Sequence, residues 1–161
     1  MKRLLFLRGS PGSGKQTVGK IVSELLQWEM LWFHDLYRLP DPDPVVIATI
    51  VLPGLAMRLQ SGNNLVFVRP ARLRSTVEEV INLATHCGYS SMVVRLTASR
   101  AKLVSRVMER EKFPWRVSDS KGLDKYLANG GAEDYPGESI IETDNLTPEE
   151  VASFIERLVR E

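Results

Sequence analysis

Nine residues, Gly-Ser-Pro-Gly-Ser-Gly-Lys-Gln-Thr at positions 9–17, constrain this chain more than any other stretch. They follow the apolar run Leu4-Leu5-Phe6-Leu7 and precede a helical pattern through Val18, Ile21, Val22, Leu25 and Leu26. Strand, glycine-rich turn and helix is the context that a phosphate-binding loop requires. Gly9, Gly12 and Gly14 admit backbone angles closed to other residues, so consecutive amides can converge on one anion. The helix starting near Lys15 turns its positive dipole end toward the same point. Lys15 itself adds a mobile point charge for the outer phosphates of a nucleotide. The spacing from Gly9 to Lys15 is that of a Walker A loop. It predicts a chain that binds a nucleoside triphosphate, or descends from one that did. The expected contacts are Gly9, Pro11, Gly12, Ser13, Gly14, Lys15, Gln16 and Thr17.

One position departs from that pattern. The hydroxyl residue expected after the lysine, where magnesium is contacted, is Gln16, with Thr17 next. A glutamine amide oxygen on a long arm is a poorer ligand for a hard cation than a compact hydroxyl or water. The pairing of a non-hydroxyl residue with a following threonine resembles adenylate kinases, which hold magnesium largely through water. No direct metal ligand is assigned; Gln16 and Asp35 remain candidates acting through water.

At 161 residues the chain is expected to be one domain, large enough to bury a core. A net charge of +1 makes no global case for nucleic-acid binding. The charges are nonetheless uneven: residues 95–121 carry eight Lys/Arg and three Asp/Glu, residues 122–161 three and ten. A basic segment in a neutral chain suits an anionic ligand, although solvated helix faces produce such runs too. The single cysteine, Cys87, excludes an internal disulfide framework and fits a reducing, cytoplasmic compartment. The N-terminal apolar run is too short for a signal peptide, and Val45 to Leu52 stops at Pro53-Gly54, too short to span a bilayer.

Alternating strands and helices fill the rest. Strands are expected at Leu4–Leu7, Met30–Phe33, Leu65–Val68, Met92–Leu96 and Ser139–Thr143. Helices are expected from Lys15 to about Gln27, from Val45 to Gln60 with a break at Pro53-Gly54, and from Ser75 to His86. Ser75-Thr76-Val77-Glu78 has capping-box spacing. Further helices run from Ser99 to about Glu111 and from Thr147, where threonine, proline and two acids open the element. Pro40 to Pro44 reads as loop, and residues 112–138 as irregular. The pattern implies a three-layer α/β/α fold with five parallel strands, the first one central, and ligand at the strands' carboxyl ends.

Residues just beyond each strand then form the rim of the site. Asp35 follows the second strand and is a candidate general base, substrate anchor or acidic helix cap. Arg38 either binds an acceptor's phosphate or pairs with Asp35 or Asp41. Arg69, Arg72 and Arg74 follow the third strand, with Arg72 a candidate substrate contact. Arg106 and Arg110, four apart, share one helical face. They either offset charge on a transferred phosphoryl group or belong to a solvated face.

Arg8-Gly9-Ser10-Pro11-Gly12-Ser13-Gly14-Lys15, Asp35-Leu36-Tyr37-Arg38, Arg106 and Arg110 together resemble the kinase domain of polynucleotide 5′-hydroxyl kinases and related small P-loop kinases. Residues 141–150 look like the closing strand and helix of that group. The resemblance implies ATP as donor, magnesium as its companion, and a hydroxyl acceptor: a nucleic-acid 5′ end, a nucleotide, or a small alcohol such as an antibiotic or sugar. It implies Asp35 as proton acceptor, Arg38 on the acceptor's phosphate, and Arg106 and Arg110 on the ATP phosphates from a lid at roughly 106–121. Two positions leave the family pattern. Arg69 stands where an aspartate normally supports magnesium, and an arginine cannot be a metal ligand. The segment between Asp35 and the third strand is short for a polynucleotide kinase. Together with Gln16, Arg69 keeps open a chain that binds nucleotide without efficient transfer.

His34 and His86 lack a cluster, so no metal site follows from them. Cys87 reads as a packing residue at a helix end. Trp115 either packs the hinge of the lid or stacks on a base. Residues 45–57 are core, pocket wall or a dimer contact.

Overall fold

The computed structural model describes residues 1–32, 44–111 and 119–161. Five parallel strands form its sheet: β1 (Lys2–Gly9), β2 (Glu29–Trp32), β3 (Leu65–Arg69), β4 (Tyr89–Thr97) and β5 (Ser139–Glu142). Their order is β2-β3-β1-β4-β5, which puts β1 in the middle as the sequence predicts. A parallel sheet needs helical cover on both faces, and that is why β1 is apolar without a break from Leu4 to Leu7.

Alternate residues of that run supply two cores. Leu4 and Phe6 pack with Phe67, Leu55, Val77 and Val80, under α2 (residues 44–60) and α3 (Arg74–His86). The Phe6 and Phe67 rings stack at 5.3 Å. Leu5 and Leu7 pack with Val18, Val22, Val151 and Ile155, under α1 (Lys15–Leu26) and α6 (Pro148–Arg160). Each fully buried leucine contributes about 1.5–3 kcal/mol relative to exposure.

The break expected at Pro53 takes a specific form. Pro44–Val46 and Leu52–Gln60 are α-helical, and Ile47–Val51 between them is a π turn, Leu52 N donating to Ile47 O. Pro53 has no amide for the Thr49 carbonyl and its ring crowds that carbonyl, so widening the preceding turn lets the helix continue. Pro44, expected in loop, instead opens the helix, where a missing amide costs nothing. Ile47, Val51, Leu55 and Leu59 are buried while Val45 and Met57 face out, so this segment supplies core through one stripe only.

Two other expectations need correction. The capping box at Ser75 is absent: α3 starts at Arg74 without a side-chain cap, and Glu133 accepts the Arg74 amide at 2.9 Å. The orphan amide is satisfied from a distant segment rather than locally. Residues 112–138 are also less irregular than expected, since α5 (Asp119–Ala128) lies within them. Its apolar signal is thin and Gly122 interrupts it, but Leu123 is buried against Leu103 and Val107 of α4 (Arg100–Glu111). By contrast, α6 opens as read, with Thr147 and Glu150 closing a capping box and Pro148 in the first turn.

Candidate active site

The glycine loop lies at the carboxyl end of β1. Its last residue, Gly14, is the left-handed cap of α1, with φ +89°. Val18 N donates to Gly14 O at 2.9 Å and Ser13 N to Ser10 O at 3.1 Å, which closes the loop on itself. Gly12 is fixed by crowding as well as by its φ of +80°. A Cβ there would stand 2.9 Å from Leu103 O and 3.1 Å from Val107 Cγ2. The base of α4 therefore rests directly on the loop. Lys15 Nζ donates to Ser10 O at 3.0 Å, folded back along the loop.

A cleft of about 440 Å³ opens from this point. Ser13, Gly14 and Thr17 line its loop end, Arg106, Glu109 and Arg110 one wall, and Thr143, Leu146 and Pro148 the other. Arg106 and Arg110 thus face the same space, as their spacing requires. Arg106 is tied at both ends of that space, donating to Gly12 O at 3.3 Å and to Thr143 Oγ1 and O at 3.0 and 2.9 Å. The buried Ser13 hydroxyl has no hydrogen-bond partner among the described residues. An unsatisfied buried polar atom beside a converging set of amides fits an anion arriving with several acceptor oxygens.

For a metal the fit is poorer. Gln16 is half-buried outside the cleft lining, and Thr17 is exposed at its mouth. Among the described residues no group of three or more His, Cys, Asp or Glu could hold an ion. Asp35 and Arg38, together with His34 and Trp115, lie outside the described residues. His86 Nδ1 lies 3.0 Å from Asn82 O at an exposed helix end, and Cys87 caps that helix against the core.

Arg72 lies beyond β3, outside the cleft lining, and its surroundings hold a buried charged cluster that sequence reasoning missed. Arg8, Arg69 and Arg95 sit in register on the adjacent strands β1, β3 and β4, and all three are buried. They continue the face of Leu4 and Phe6. Arg8 grips Glu138 with two bonds of 2.8 and 3.0 Å and donates to the carbonyls of Ala71 (2.8 Å) and Glu133. Arg95 donates to Asp134 at 2.7 Å and lies 3.3 Å from Glu138. The segment 129–138 is thereby strapped across the rim of the sheet. Tyr126 of α5 lies close enough for burial to push its phenol up, while Arg8, Arg95 and Arg72 pull it down.

A sheet of order 2-3-1-4-5, with a glycine loop joining its central strand to the first helix, defines the nucleotide-kinase-like P-loop fold. Solved structures that share it include a sugar kinase from Janibacter sp. HTCC2649, 19% identical with a TM-score of 0.74, over 99% of this chain and 95% of that one. A gluconokinase from Sinorhizobium meliloti 1021 is 18% identical with a TM-score of 0.71, over 97% and 94%. The APS kinase of Mycobacterium tuberculosis, solved with AMPPNP and APS, is 16% identical with a TM-score of 0.62, over 99% and 96%. No protein-family model matches the chain, and no curated protein matches it in sequence.

Proposed function

We propose that this chain is an ATP-dependent kinase that phosphorylates a hydroxyl group of a small molecule. The observation that carries the reading is the shared cleft, into which the loop end at Ser13 and Gly14 and the α4 arginines all face. A triphosphate on the loop amides and Lys15 would run its ribose and base along Leu146 and Pro148, with Arg106 and Arg110 beside the phosphates. Ligands of open parallel sheets bind beyond the carboxyl ends of the strands, and this reading puts the acceptor there, on the far side of the loop. In the step proposed, the acceptor oxygen attacks the γ-phosphorus as the bond to the β–γ bridging oxygen breaks. Asp35 takes the hydroxyl proton and Arg38 anchors the acceptor, roles that rest on the resemblance. Magnesium, when bound, offsets charge between the β- and γ-phosphates, and on the donor set described here it would be carried by the nucleotide and water.

A small acceptor is favoured over a polynucleotide because the solved relatives of this fold include sugar, gluconate and APS kinases. A second reading is a nucleotide-binding protein without efficient transfer. Arg69 favours it, being buried at the end of β3 in register with a second arginine. The test is transfer of labelled γ-phosphate from ATP to small alcohols, nucleosides and 5′-hydroxyl oligonucleotides. It is run beside Lys15→Ala and beside the pair Gln16→Ser with Arg69→Asp. Transfer by the native chain that Lys15→Ala removes supports the kinase. Transfer confined to the paired variant overturns it in favour of the second reading, and label on oligonucleotides alone overturns the small acceptor.

A further inference from the structure

We propose that this chain pairs with a second copy of itself through the outer edge of β5 and the exposed side of α6, about a two-fold axis. The surface does not include the glycine loop, so the inference stands apart from the kinase reading.

The strand edge comes first. β5 is the last strand of the sheet, and Thr143 N, just beyond its end, donates to Thr97 O at 2.9 Å. Successive residues of a strand turn their N–H and C=O groups to opposite sides. Residues 139, 141 and 143 therefore address β4, and the backbone of Ile140 and Glu142 points to the open side. Ile140 is 54% exposed there, and an apolar edge strand is a template for pairing unless something covers it. Across a two-fold axis through Ile141, an antiparallel second copy sets its Glu142 against Ile140. Each such pair can exchange both of its main-chain hydrogen bonds.

Beside that edge a groove of about 670 Å³ runs along α6, walled by Ile140, Leu146 and Phe154, all three exposed. Charge decides what fits it. Glu150, Phe154 and Arg157 follow one another on one exposed stripe of α6: acid at the start, ring in the middle, base near the end. Arg157 stands over the Phe154 ring at 5.7 Å and forms no ion pair among the described residues. A partner of a single charge would meet its own sign at one end of this groove. A second copy running the opposite way matches both ends, Glu150 against Arg157 and Arg157 against Glu150, with the Phe154 rings between them.

Strand and helix can share one axis. The centre of the helix pair, between Ser153 and Phe154, lies about 8 Å along α6 from its start. Ile141 lies about 7 Å back along the strand from Thr143, at the same turn. The two centres are thus level, as a self-complementary interface requires.

The test is analytical ultracentrifugation of the native chain and of Phe154→Glu, Ile140→Pro, Arg157→Glu and Glu150→Arg across micromolar concentrations. Circular dichroism matched to the native spectrum keeps misfolding apart from lost pairing. The native chain should move from the 18.1 kDa of one copy toward twice that mass as concentration rises. Phe154→Glu should weaken association roughly thirtyfold or more, the loss expected for a central aromatic anchor. Ile140→Pro removes an outward amide that β4 does not use, and it should weaken association as well. Arg157→Glu and Glu150→Arg should each associate about tenfold more weakly alone and recover when mixed, because only the mixed pair sets opposite charges at both ends. A native chain that keeps the mass of one copy throughout overturns the proposal and leaves the groove to another occupant. Association indifferent to Phe154→Glu and Ile140→Pro, or charge variants that do not recover on mixing, overturns it as well.

Discussion

Leu5 and Leu7 on one face of β1 are as deeply buried as Leu4 and Phe6 on the other, yet the two faces end differently at the rim. Under α1 and α6 the apolar run reaches the glycine loop, and polar chemistry begins in the backbone: converging amides and a helix end. Under α2 and α3 the next residue is Arg8, flanked in register by Arg69 and Arg95, and polar chemistry begins in buried side chains. Backbone amides recognise a phosphate chain without regard to what it is attached to. Side chains can be exchanged one at a time without rebuilding a loop. On the proposed kinase reading, the division suits a donor side that is fixed and an acceptor side that is particular.

The largest effect should come from cutting the side-chain face. Arg8→Ala leaves Glu138, 3% exposed, without its main partner in the interior. Removing one member of a buried pair typically costs about 3–5 kcal/mol. Chemical denaturation of Arg8→Ala should therefore lose roughly that amount. Arg8→Ala with Glu138→Leu should recover part of it, because Glu138 is then no longer stranded while Arg95 keeps only the exposed Asp134. If Arg8→Ala were as stable as the native chain, the arginine row would not be what holds the strap.

A smaller loss, confined to the other face, is expected from Gly12→Ala. The added Cβ meets Leu103 O at 2.9 Å, and a residue with a Cβ at φ +80° is strained by about 1–2 kcal/mol. Nucleotide affinity should fall roughly tenfold or more, since loop and α4 must part, while the Arg8–Glu138 pair is untouched. Equal affinity for ATP in the variant and the native chain would detach α4 from the nucleotide site. Arg106→Ala tests the same contact from the helix side. It removes bonds to Gly12 and Thr143 that join the cleft's two walls. A part-buried charged donor of this kind is worth about 1.5–3 kcal/mol. The lower end is expected in nucleotide binding, and Arg106→Lys should not restore it, because an ammonium group cannot reproduce the fork. Lysine behaving as arginine would reduce the role to charge alone.

The glycine-loop face was legible in the sequence and the arginine face was not, for a physical reason. A phosphate loop is local: strand, glycines, lysine and helix lie within some twenty residues, so spacing alone exposes it. The arginine row is assembled across strands, and its partners Glu133, Asp134 and Glu138 come from a segment that read as irregular. A signal was nevertheless present. Phe6-Leu7-Arg8, Phe67-Val68-Arg69 and Val93-Val94-Arg95 repeat an apolar pair followed by arginine at the same end of three strands. A parallel sheet aligns those ends, and period two puts the three arginines on one face. The same non-locality hid the start of α3, where Glu133 rather than Ser75 satisfies the first amide. Capping at α6 was legible because Thr147 and Glu150 are three residues apart.

The smallest expected effect tests whether the two walls of the nucleotide cleft are joined by more than Arg106. Asp144, in the turn between β5 and α6, accepts the backbone amide of Ser99 at 2.7 Å, just before α4 begins. The Ser99 side chain and amide hold its carboxyl below the usual carboxylate range, with Arg106 and Lys102 adding to the effect. The sign follows from linkage. A carboxyl whose folded value is depressed contributes stability that is present above the unfolded value near 3.9 and is lost as pH falls through the folded one. Asp144→Asn should thus leave neutral-pH stability almost unchanged, because the carboxylate is exposed and screened by water. It should, however, flatten the acid limb of a melting-temperature profile below about pH 4. Nucleotide affinity should fall less than in Arg106→Ala, since the amide of Ser99 can turn to water when its partner goes. An acid limb of unchanged steepness would mean that the turn and α4 are not coupled through this contact, and that Arg106 alone joins the walls.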